Sequence, residues 1–214
     1  MTRECQLIKV DLGDSSTWQL EGVSDAIQGG AVILYPTDTL YGLGCSPFVA
    51  DAVARIHRIK MRNEHKPMLV LMDDMQAMAD LAEEIPRSFY ALARRFWPGP
   101  VTFILKAAPT LPHVLTAGLG TVGVRMPEQP FTRELLRRCR LPLVSTSANL
   151  SGTNPLLEIK LLLDLFQRQV DYFIDAGNLA SAVSSTVIRL VGDEVTLIRE
   201  GRIPFSDIQA ALKG

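Results

Sequence analysis

The stretch Leu141-Pro-Leu-Val-Ser-Thr-Ser-Ala-Asn-Leu-Ser-Gly152 joins a short apolar segment directly to a polar one. The apolar segment, residues 141–144, is typical of a buried strand. Five of the eight residues that follow carry a hydroxyl or an amide. Ligands of α/β proteins usually bind beyond the carboxyl ends of the strands. One such polar residue would be explained as a helix cap or a turn, but five of them after one strand favour a binding site.

A second polar cluster, Lys60-Met-Arg62, precedes the apolar run Met68-Leu-Val-Leu-Met72. Lysine is a point charge and arginine a planar fork, so the two together suit phosphate oxygens. Side chains two positions apart on a helix point about 200° apart, so both face one ligand only if the helix predicted over residues 50–61 ends near Arg62. Pro67 favours that ending. The alternative is a solvated helix end, where the helix dipole favours cations in any case.

Helix and strand patterns alternate along the chain. Helices are predicted over residues 15–29, 50–61, 74–84, 86–96, 130–139 and 156–168 and from about 205 onward, and strands over 31–36, 68–72, 101–106, 121–125, 141–144 and 172–175. Residues 185–190 and 194–199 are predicted to form a hairpin, residues 37–45 a glycine-containing loop, and residues 97–100 a break. The pattern predicts one α/β domain over residues 1–214, with its core at about 15–202 and a twisted mixed sheet flanked by helices.

The composition is that of an ordinary globular enzyme, with 214 residues, 47% hydrophobic and 21% charged. A net charge of −1 argues against a general polyanion-binding protein. Three widely spaced cysteines, Cys5, Cys45 and Cys139, predict reduced thiols rather than a disulfide framework. We find no signal peptide and no spanning segment, and so expect a cytoplasmic protein without a membrane partner.

The known sequence signatures of nucleotide binding and of covalent or metal catalysis are missing. Residues 37–45 contain Gly42 and Gly44, but neither a GxGxxG motif nor a Walker lysine. Asp38 is either a base or metal ligand, or the start of an Asx-turn. The three histidines lack the spacing of metal ligands, so we predict no metal site made by protein alone. The chemistry would then depend on orientation and charge stabilisation, as in adenylation.

Seven motifs in a fixed order carry a family resemblance. They are Pro36-Thr-Asp-Thr-Leu-Tyr-Gly-Leu-Gly44, Lys60-Met-Arg62 with Lys66-Pro67, Phe96-Trp-Pro-Gly-Pro-Val-Thr102, Thr121-Val-Gly-Val-Arg-Met-Pro127, Ser145-Thr-Ser-Ala-Asn-Leu-Ser-Gly152, Ser185-Thr-Val-Ile188 and Ile198-Arg-Glu-Gly201. Together they resemble the YrdC-like threonylcarbamoyl-AMP synthase family. The resemblance covers the chain from about residue 15 to residue 202. The resemblance implies a twisted mixed α/β sheet with a large basic cavity.

The resemblance also implies a reaction. L-threonine, bicarbonate and ATP, with Mg²⁺, would give threonylcarbamoyl-AMP and pyrophosphate. The product would supply the threonylcarbamoyl group that tRNA threonylcarbamoyltransferase proteins place on an adenosine of certain tRNAs, at position 37. The implied partners are therefore these substrates, these proteins and tRNA or double-stranded RNA.

Site residues follow from the same resemblance, position by position. It implies a catalytic, nucleotide-binding tetrad of Lys60, Arg62, Ser147 and Asn149. It implies further ATP contacts from Arg58, Thr121 and Arg199. It implies a threonine pocket made by Thr37, Thr39, Arg125, Ser145 and Ser185, with Arg125 suited to the carboxylate.

The chain departs from the family pattern at three places. Asn63 follows the arginine where many members have proline, residues 68–74 lack a histidine, and Ser184 stands where proline is usual. These features resemble the YciO-like branch. The alternative function is therefore a YciO-like RNA-binding or ribosome-associated protein without synthase activity. A carbamoyl-transfer domain like those of hydrogenase-maturation proteins is a further alternative.

Overall fold

The computed structural model describes residues 4–61, 67–179, 183–192 and 194–212. Within these ranges eleven strands form one mixed sheet in the order β1-β9-β2-β3-β8-β4-β7-β6-β10-β11, with β5 paired to β6. The strands are β1 Gln6–Lys9, β2 Ile33–Tyr35, β3 Gly42–Gly44, β4 Leu69–Leu71, β5 Ala82–Glu83, β6 Val101–Ala107, β7 Thr121–Arg125, β8 Leu143–Ser147, β9 Tyr172–Asp175, β10 Thr186–Val191 and β11 Glu194–Arg199.

Helices cover both faces of this sheet. They are α1 Val23–Gln28, α2 Ala50–Ile59, α3 Met78–Leu81, α4 Arg87–Phe96, α5 His113–Thr116, α6 Pro130–Cys139, α7 Ile159–Phe166 and α8 Phe205–Ala211. Helices α1 and α6 pack on one face, and α2, α3, α4, α7 and α8 pack on the other. The α/β fold with a mixed sheet and flanking helices is therefore confirmed. The assignment of residues 1–214 to one domain stays a prediction.

Alternating side chains divide the core between the two faces. On β8, Val144 belongs to the larger cluster and Leu143 to the smaller one, and on β4 Val70 and Leu71 divide in the same way. Successive residues of a strand point to opposite faces, so a strand buried on both sides must be apolar at every position. This is why the runs at 68–72 and 141–144 are continuously hydrophobic.

The centre of the sheet is where parallel and antiparallel pairing meet. Strand β8 lies between β3 and β4 and is antiparallel to both, whereas β4 is parallel to β7. In this register Ser147 lies opposite Gly42, and Ser145 lies opposite Leu69. The polar end of β8 is thereby placed beside the 37–45 segment and near β7.

Most predicted elements are confirmed, and the corrections have local causes. The predicted helix 15–29 is a 3-10 turn, Ser15–Thr17, followed by α1, because Gly22 adopts a left-handed conformation with φ 75°. The predicted helix 74–84 is a 3-10 turn, Met75–Ala77, then α3 and β5. The predicted loop 37–45 contains β3, and β8 continues through Ser147 instead of ending at residue 144. Strand β1 and helix α5 were not predicted.

Helix α2 ends just before Arg62, as the phosphate-binding hypothesis required, although two residues earlier than the predicted bound of 61. Its last residue is Ile59, Lys60 is its C-cap, and Met61 has a left-handed φ of 49°. Arg62 lies outside the described residues. In the described part of the chain, no helix has the length and apolar character needed to cross a membrane.

Gly44 makes room for the ring of Tyr35, which yields a test of the sheet. A Cβ atom at position 44 would lie 2.7 Å from Tyr35 Cε1 and 2.8 Å from the carbonyl oxygen of Val144. We expect Gly44→Ala to lower the free energy of unfolding by about 1–3 kcal/mol, as overpacking does, in urea denaturation. Gly13→Ala is the control, because its Cβ would meet Asp11 Oδ1 at an ordinary 3.4 Å. Equal stability of the two variants would contradict this explanation.

Candidate functional site

A cavity of about 860 Å³ opens above the centre of the sheet. Its lining includes eight of the predicted site residues: Thr37, Thr39, Thr121, Arg125, Ser145, Ser147, Ser185 and Arg199. They come from five strands or loops that are far apart in the sequence. The sheet register therefore brings together most of the residues that the resemblance selected.

Strand β8 supplies the polar floor of this cavity. Ser145 and Ser147 are two positions apart, so their side chains face the same side of the strand. Opposite them, Gly42 has no side chain to fill the space, and a Cβ atom there would lie 3.1 Å from Ser145 Oγ. The glycine pattern of the 37–45 segment is therefore explained by a close backbone approach that leaves the cavity open.

Lys60 connects the two polar clusters of the sequence. Its side chain is buried, and Nζ donates hydrogen bonds to the carbonyl oxygens of Ser147 and of Asn149, the latter at 2.8 Å. Asn149 Oδ1 lies 3.4 Å from the same nitrogen. The backbone repeats the connection, because Ser151 N–H donates to the Lys60 carbonyl at 3.0 Å. The expected convergence of Lys60 with the 145–149 cluster is thus observed, with the ammonium group directed at the loop.

Asn149 holds the loop that follows β8. Its Nδ2 donates to the carbonyl oxygens of Leu150 at 3.0 Å and Thr153 at 2.6 Å, and its Oδ1 accepts a hydrogen bond from Ser147 Oγ. The side chains of Ser147 and Asn149 are therefore arranged by each other and by Lys60. Of the other predicted phosphate contacts, Arg58 lies exposed on α2.

The Thr37–Leu40 segment folds around one hydroxyl group. Thr37 Oγ1 accepts hydrogen bonds from the backbone N–H of Leu40 at 3.1 Å and of Thr39 at 3.3 Å, and it donates to the Leu40 carbonyl at 2.6 Å. The Thr39 hydroxyl lies 3.1 Å from that of Thr37. This tight turn directs Thr39 towards the cavity and Asp38 towards the protein interior.

Arg125 is buried at the end of β7 and is held from three sides. Its Nε donates to the Gly99 carbonyl at 3.0 Å, and one terminal nitrogen donates to Thr39 Oγ1 at 3.3 Å. The other terminal nitrogen forms an ion pair with Asp38 Oδ2. Sequence reasoning left the role of Asp38 open among base, metal ligand and Asx-turn. The structure makes it the counter-ion of Arg125, which no local pattern could have indicated.

The hairpin β10–β11 closes the opposite side of the cavity. Arg199 donates to the Ser185 carbonyl at 2.9 Å, and Ser185 Oγ lies 2.9 Å from Thr102 Oγ1. Although much of Arg199 stays exposed to solvent, partial burial lowers the pKa of its guanidinium group, and repulsion from Arg125 lowers it further. Two like charges thus share one cavity.

Arg189 is a cavity residue that sequence reasoning missed. It lies on β10 between Ile188 and Leu190, which are buried, so its own side chain is on the opposite face. The predicted hairpin with its alternating pattern contained this signal. Among the described residues the charged side chains that line the cavity are Arg125, Arg189 and Arg199, which makes the cavity suitable for anions.

Thiol and metal chemistry receive no support from the described residues. Burial raises the pKa of Cys139 to about 12 and raises that of Cys45 further, so both thiols are protonated at neutral pH. All three cysteines are free, as predicted. The described residues contain no group of three or more His, Cys, Asp or Glu side chains placed to hold a metal ion.

Residues 25–201 match the model of the Sua5_yciO_yrdC family, which carries the description telomere recombination. The threonylcarbamoyl-AMP synthase of Pyrococcus abyssi is 33% identical over 195 residues, which are 91% of this chain and 57% of that protein. The synthase of the same name from Bacillus subtilis is 33% identical over 195 residues, 91% of this chain and 56% of that protein. The chain thus spans less than two thirds of the length of these two relatives. The synthase of Coxiella burnetii is 35% identical over 178 residues, 82% of this chain and 94% of that protein.

Solved structures show the same fold. The crystal structure of P. abyssi Sua5 complexed with L-threonine superposes with a TM-score of 0.87 at 31% identity, covering 97% of this chain and 60% of that one. The crystal structure of E. coli YciO superposes with a TM-score of 0.82 at 27% identity, covering 96% of this chain and 99% of that one.

The buried ammonium group of Lys60 can be tested through stability. Lys60→Met keeps the length of the side chain but removes the hydrogen bonds that Nζ donates to the carbonyl oxygens of Ser147 and Asn149; the Ser147 carbonyl keeps the N–H of Asn149 as a donor. We expect a loss of about 1–3 kcal/mol in the free energy of unfolding, with faster hydrogen exchange at the Ser151 amide. Lys106→Met is the control, because Lys106 is exposed and pairs at the surface with Glu84, so its stability should stay close to wild type. A Lys60→Met protein as stable as this control would contradict the explanation that the Lys60 ammonium group stabilises the loop after β8.

Proposed function

Because the chain belongs to the Sua5/YciO/YrdC family, we propose that it is a threonylcarbamoyl-AMP synthase that uses L-threonine, bicarbonate and ATP and releases pyrophosphate. One observation carries the proposal. A single cavity combines a hydroxyl-rich end, where Arg125 is paired with a carboxylate, with an end where Arg189 and Arg199 face solvent. The first end suits an amino acid and the second a triphosphate.

The amino-acid end supports a threonine pocket made of Thr37, Thr39, Arg125, Ser145 and Ser185. A guanidinium group is the preferred partner of a carboxylate, and the hydroxyl groups around it both donate and accept hydrogen bonds. The P. abyssi protein has been crystallised with L-threonine, and its fold is shared by 97% of this chain.

The nucleotide end would be formed by Lys60, Arg62, Ser147 and Asn149, with Arg58, Thr121 and Arg199 as further contacts. Lys60 orders the backbone of residues 147–151, and this places the Ser147 hydroxyl on the cavity wall. Lys60 and Asn149 direct their donors at protein oxygens, so their part in nucleotide binding would be to hold the loop that carries Ser147 in place before the substrate arrives. We therefore assign the tetrad to the nucleotide.

The chemistry needs two bond-forming steps. The threonine nitrogen, as the free amine, first forms a bond to the carbon of bicarbonate. One C–O bond of bicarbonate breaks, and the leaving hydroxide takes a proton from the nitrogen, which gives a carbamate and water. A carbamate oxygen then attacks the α-phosphorus of ATP, the bond from that phosphorus to the bridging oxygen breaks, and pyrophosphate leaves. Both partners in the second step are anions, so the arginines of the cavity reduce their repulsion and hold them in reacting geometry.

Mg²⁺ would enter this reaction together with ATP. The charged side chains lining the described cavity are arginines, so the protein offers the ion no carboxylate cage there. Mg²⁺ usually stays bound to substrate phosphates and to several water molecules, and a cavity without a carboxylate cage is consistent with that mode of binding.

The product would supply the threonylcarbamoyl group for adenosine 37 of certain tRNAs, through tRNA threonylcarbamoyltransferase proteins. We place this activity in the cytoplasm, where ATP and tRNA are both available. Direct contact with tRNA or double-stranded RNA is part of the alternative, YciO-like function, which would bind RNA in a salt-dependent manner and release no pyrophosphate.

The function is tested by pyrophosphate release from the purified protein. We expect release only when ATP, L-threonine and bicarbonate are all present, together with Mg²⁺, and we expect threonylcarbamoyl-AMP in the same reactions by mass spectrometry. Omission of each substrate in turn is the control. Release that does not depend on threonine would refute the synthase, and salt-sensitive RNA binding without any release would favour the alternative.

Arg199 provides a test of the nucleotide end. Arg199→Ala removes a cation from the cavity, and we expect the affinity for ATP to fall at least about tenfold, as expected for a lost charged hydrogen bond. Isothermal titration calorimetry with ATP measures this affinity. Arg202→Ala is the matched control, because Arg202 lies three positions along the same segment and pairs at the surface with Glu128. Equal losses in the two variants would show that the cavity position of Arg199 is irrelevant.

A further inference from the structure

The outer face of helix α4 carries cations without counter-ions. Arg87, Tyr90 and Arg94 follow one another at spacings of three and four residues, so they lie on one face of the helix, which Arg95 borders. All three arginines are exposed, and Tyr90 is 54% exposed. Within the described residues, no carboxylate lies within ion-pair distance of any of these arginines. The face therefore presents three uncompensated positive charges beside an exposed aromatic ring.

The arginines of helix α6 provide the contrast. Arg133 pairs with Asp73, and both Arg137 and Arg138 pair with Glu134. The whole chain has a net charge of −1, so the positive excess on α4 is a local property. A surface of one charge attracts a partner of the opposite charge and guides its approach. The outer face of α4 therefore fits an acidic partner.

A groove lies beside this face, between the C-terminal end of α4, the loop of residues 98–100 and helix α8. We call it the α4–α8 groove, and its volume is about 550 Å³. Its apolar lining residues are Phe96, Pro98, Pro100, Ile203, Ala210 and Ala211. Arg95 belongs both to the cationic face and to the lining of the groove. An apolar pocket for an anchoring side chain, next to exposed arginine and tyrosine, is typical of protein–protein contact sites.

The floor of the α4–α8 groove is fixed before any partner binds. Gly99 N–H donates to the Met126 carbonyl at 2.9 Å, and the Gly99 carbonyl accepts from Arg125 Nε at 3.0 Å. Thr186 N–H donates to the Pro100 carbonyl at 2.9 Å. These bonds connect the loop of residues 98–100 to the sheet. A partner segment therefore meets a surface whose backbone needs no ordering, which lowers the entropic cost of binding.

Asp207 favours a protein over a nucleic acid as the partner. It is exposed and lines the α8 side of the groove, whereas Arg95 lines the α4 side. A nucleic acid carries a phosphate charge at every nucleotide and would be repelled at the α8 side. A protein segment can place carboxylates against α4, an apolar side chain in the groove, and an uncharged or basic residue near Asp207. The uneven charge of the groove thus matches a protein segment of mixed character.

We propose that the outer face of α4 and the α4–α8 groove bind an acidic segment of a partner protein. One apolar side chain of the segment enters the groove, and its carboxylates pair with Arg87, Arg94 and Arg95. This surface uses no residue that lines the cavity above the sheet. Partner binding is therefore independent of the proposed function, and a protein without synthase activity would show it equally.

The groove is tested with two labelled peptides that contain the same glutamates and differ in one central residue, leucine or serine. Fluorescence anisotropy with the full chain measures both affinities. We expect the wild type to bind the leucine peptide at least about tenfold more tightly, because burial of a leucine side chain favours binding by about that factor. In Ala210→Trp, whose indole ring fills the groove, this preference falls to about one. Ala210 is exposed, so the substitution leaves the core intact.

The cationic face is tested by Arg94→Ala with the same two peptides. We expect both to bind about threefold more weakly, which is the size of one surface ion pair. Arg137→Ala is the matched control, because it removes the same charge from the exposed side of α6. This control should bind both peptides as the wild type does.

Ala50→Trp is the control for the groove, because Ala50 is the exposed first residue of α2 and does not line the groove. A leucine preference that persists in Ala210→Trp, or that also disappears in Ala50→Trp, overturns the proposal. Equal affinities of the wild type for the two peptides, or equal losses in Arg94→Ala and Arg137→Ala, overturn it as well. A short RNA that binds the wild type more tightly than the leucine peptide, and loses this binding in Arg94→Ala, would assign the face to a nucleic acid instead.

Discussion

The buried ammonium group of Lys60 is the contact on which the site depends. It connects the end of α2 to the carbonyl oxygens of Ser147 and Asn149, two segments that share no local sequence. The loop after β8 is held otherwise by hydrogen bonds among its own residues and by the backbone bond from the Ser151 N–H to the Lys60 carbonyl. A lysine is suited to this position because its donors meet two backbone carbonyl oxygens and, at 3.4 Å, the side-chain amide oxygen of Asn149. The sheet sets the distance between the segments, and Lys60 fixes their relative position.

The polar residues of the cavity belong to different strands because the sheet is mixed. Strand β8 is antiparallel to β3 and β4, whereas β4 and β7 are parallel. Ser145 and Arg125 thereby approach the same space from different directions. Close approach is possible because Gly42 has no side chain opposite β8. The glycines of the 37–45 segment therefore serve the packing of the sheet and the opening of the cavity together.

The sequence predicted the fold class, most of the helices and strands, and the convergence of Lys60 with the 145–149 cluster, because periodicity and polarity are local properties. It did not predict β3, since Gly42-Leu-Gly44 has no strand pattern and pairs only because β2 and β8 flank it. The partnership of Asp38 with Arg125 also had no local signal, because it depends on the register between distant segments. The position of Arg189, by contrast, could have been predicted from the sequence, because Arg189 alternates with two apolar neighbours on a predicted strand and so faces away from them.

Depth explains why the cavity contains one paired arginine and two that face solvent. Arg125 lies in the centre of the sheet and is only 3% exposed. A cation at that depth loses its hydration and is stable only with a counter-ion and satisfied hydrogen bonds, which Asp38 and Gly99 supply. Arg189 and Arg199 lie on the hairpin at the edge of the sheet, where water still screens their charge. The pairing of Arg125 with Asp38 is therefore a consequence of burial.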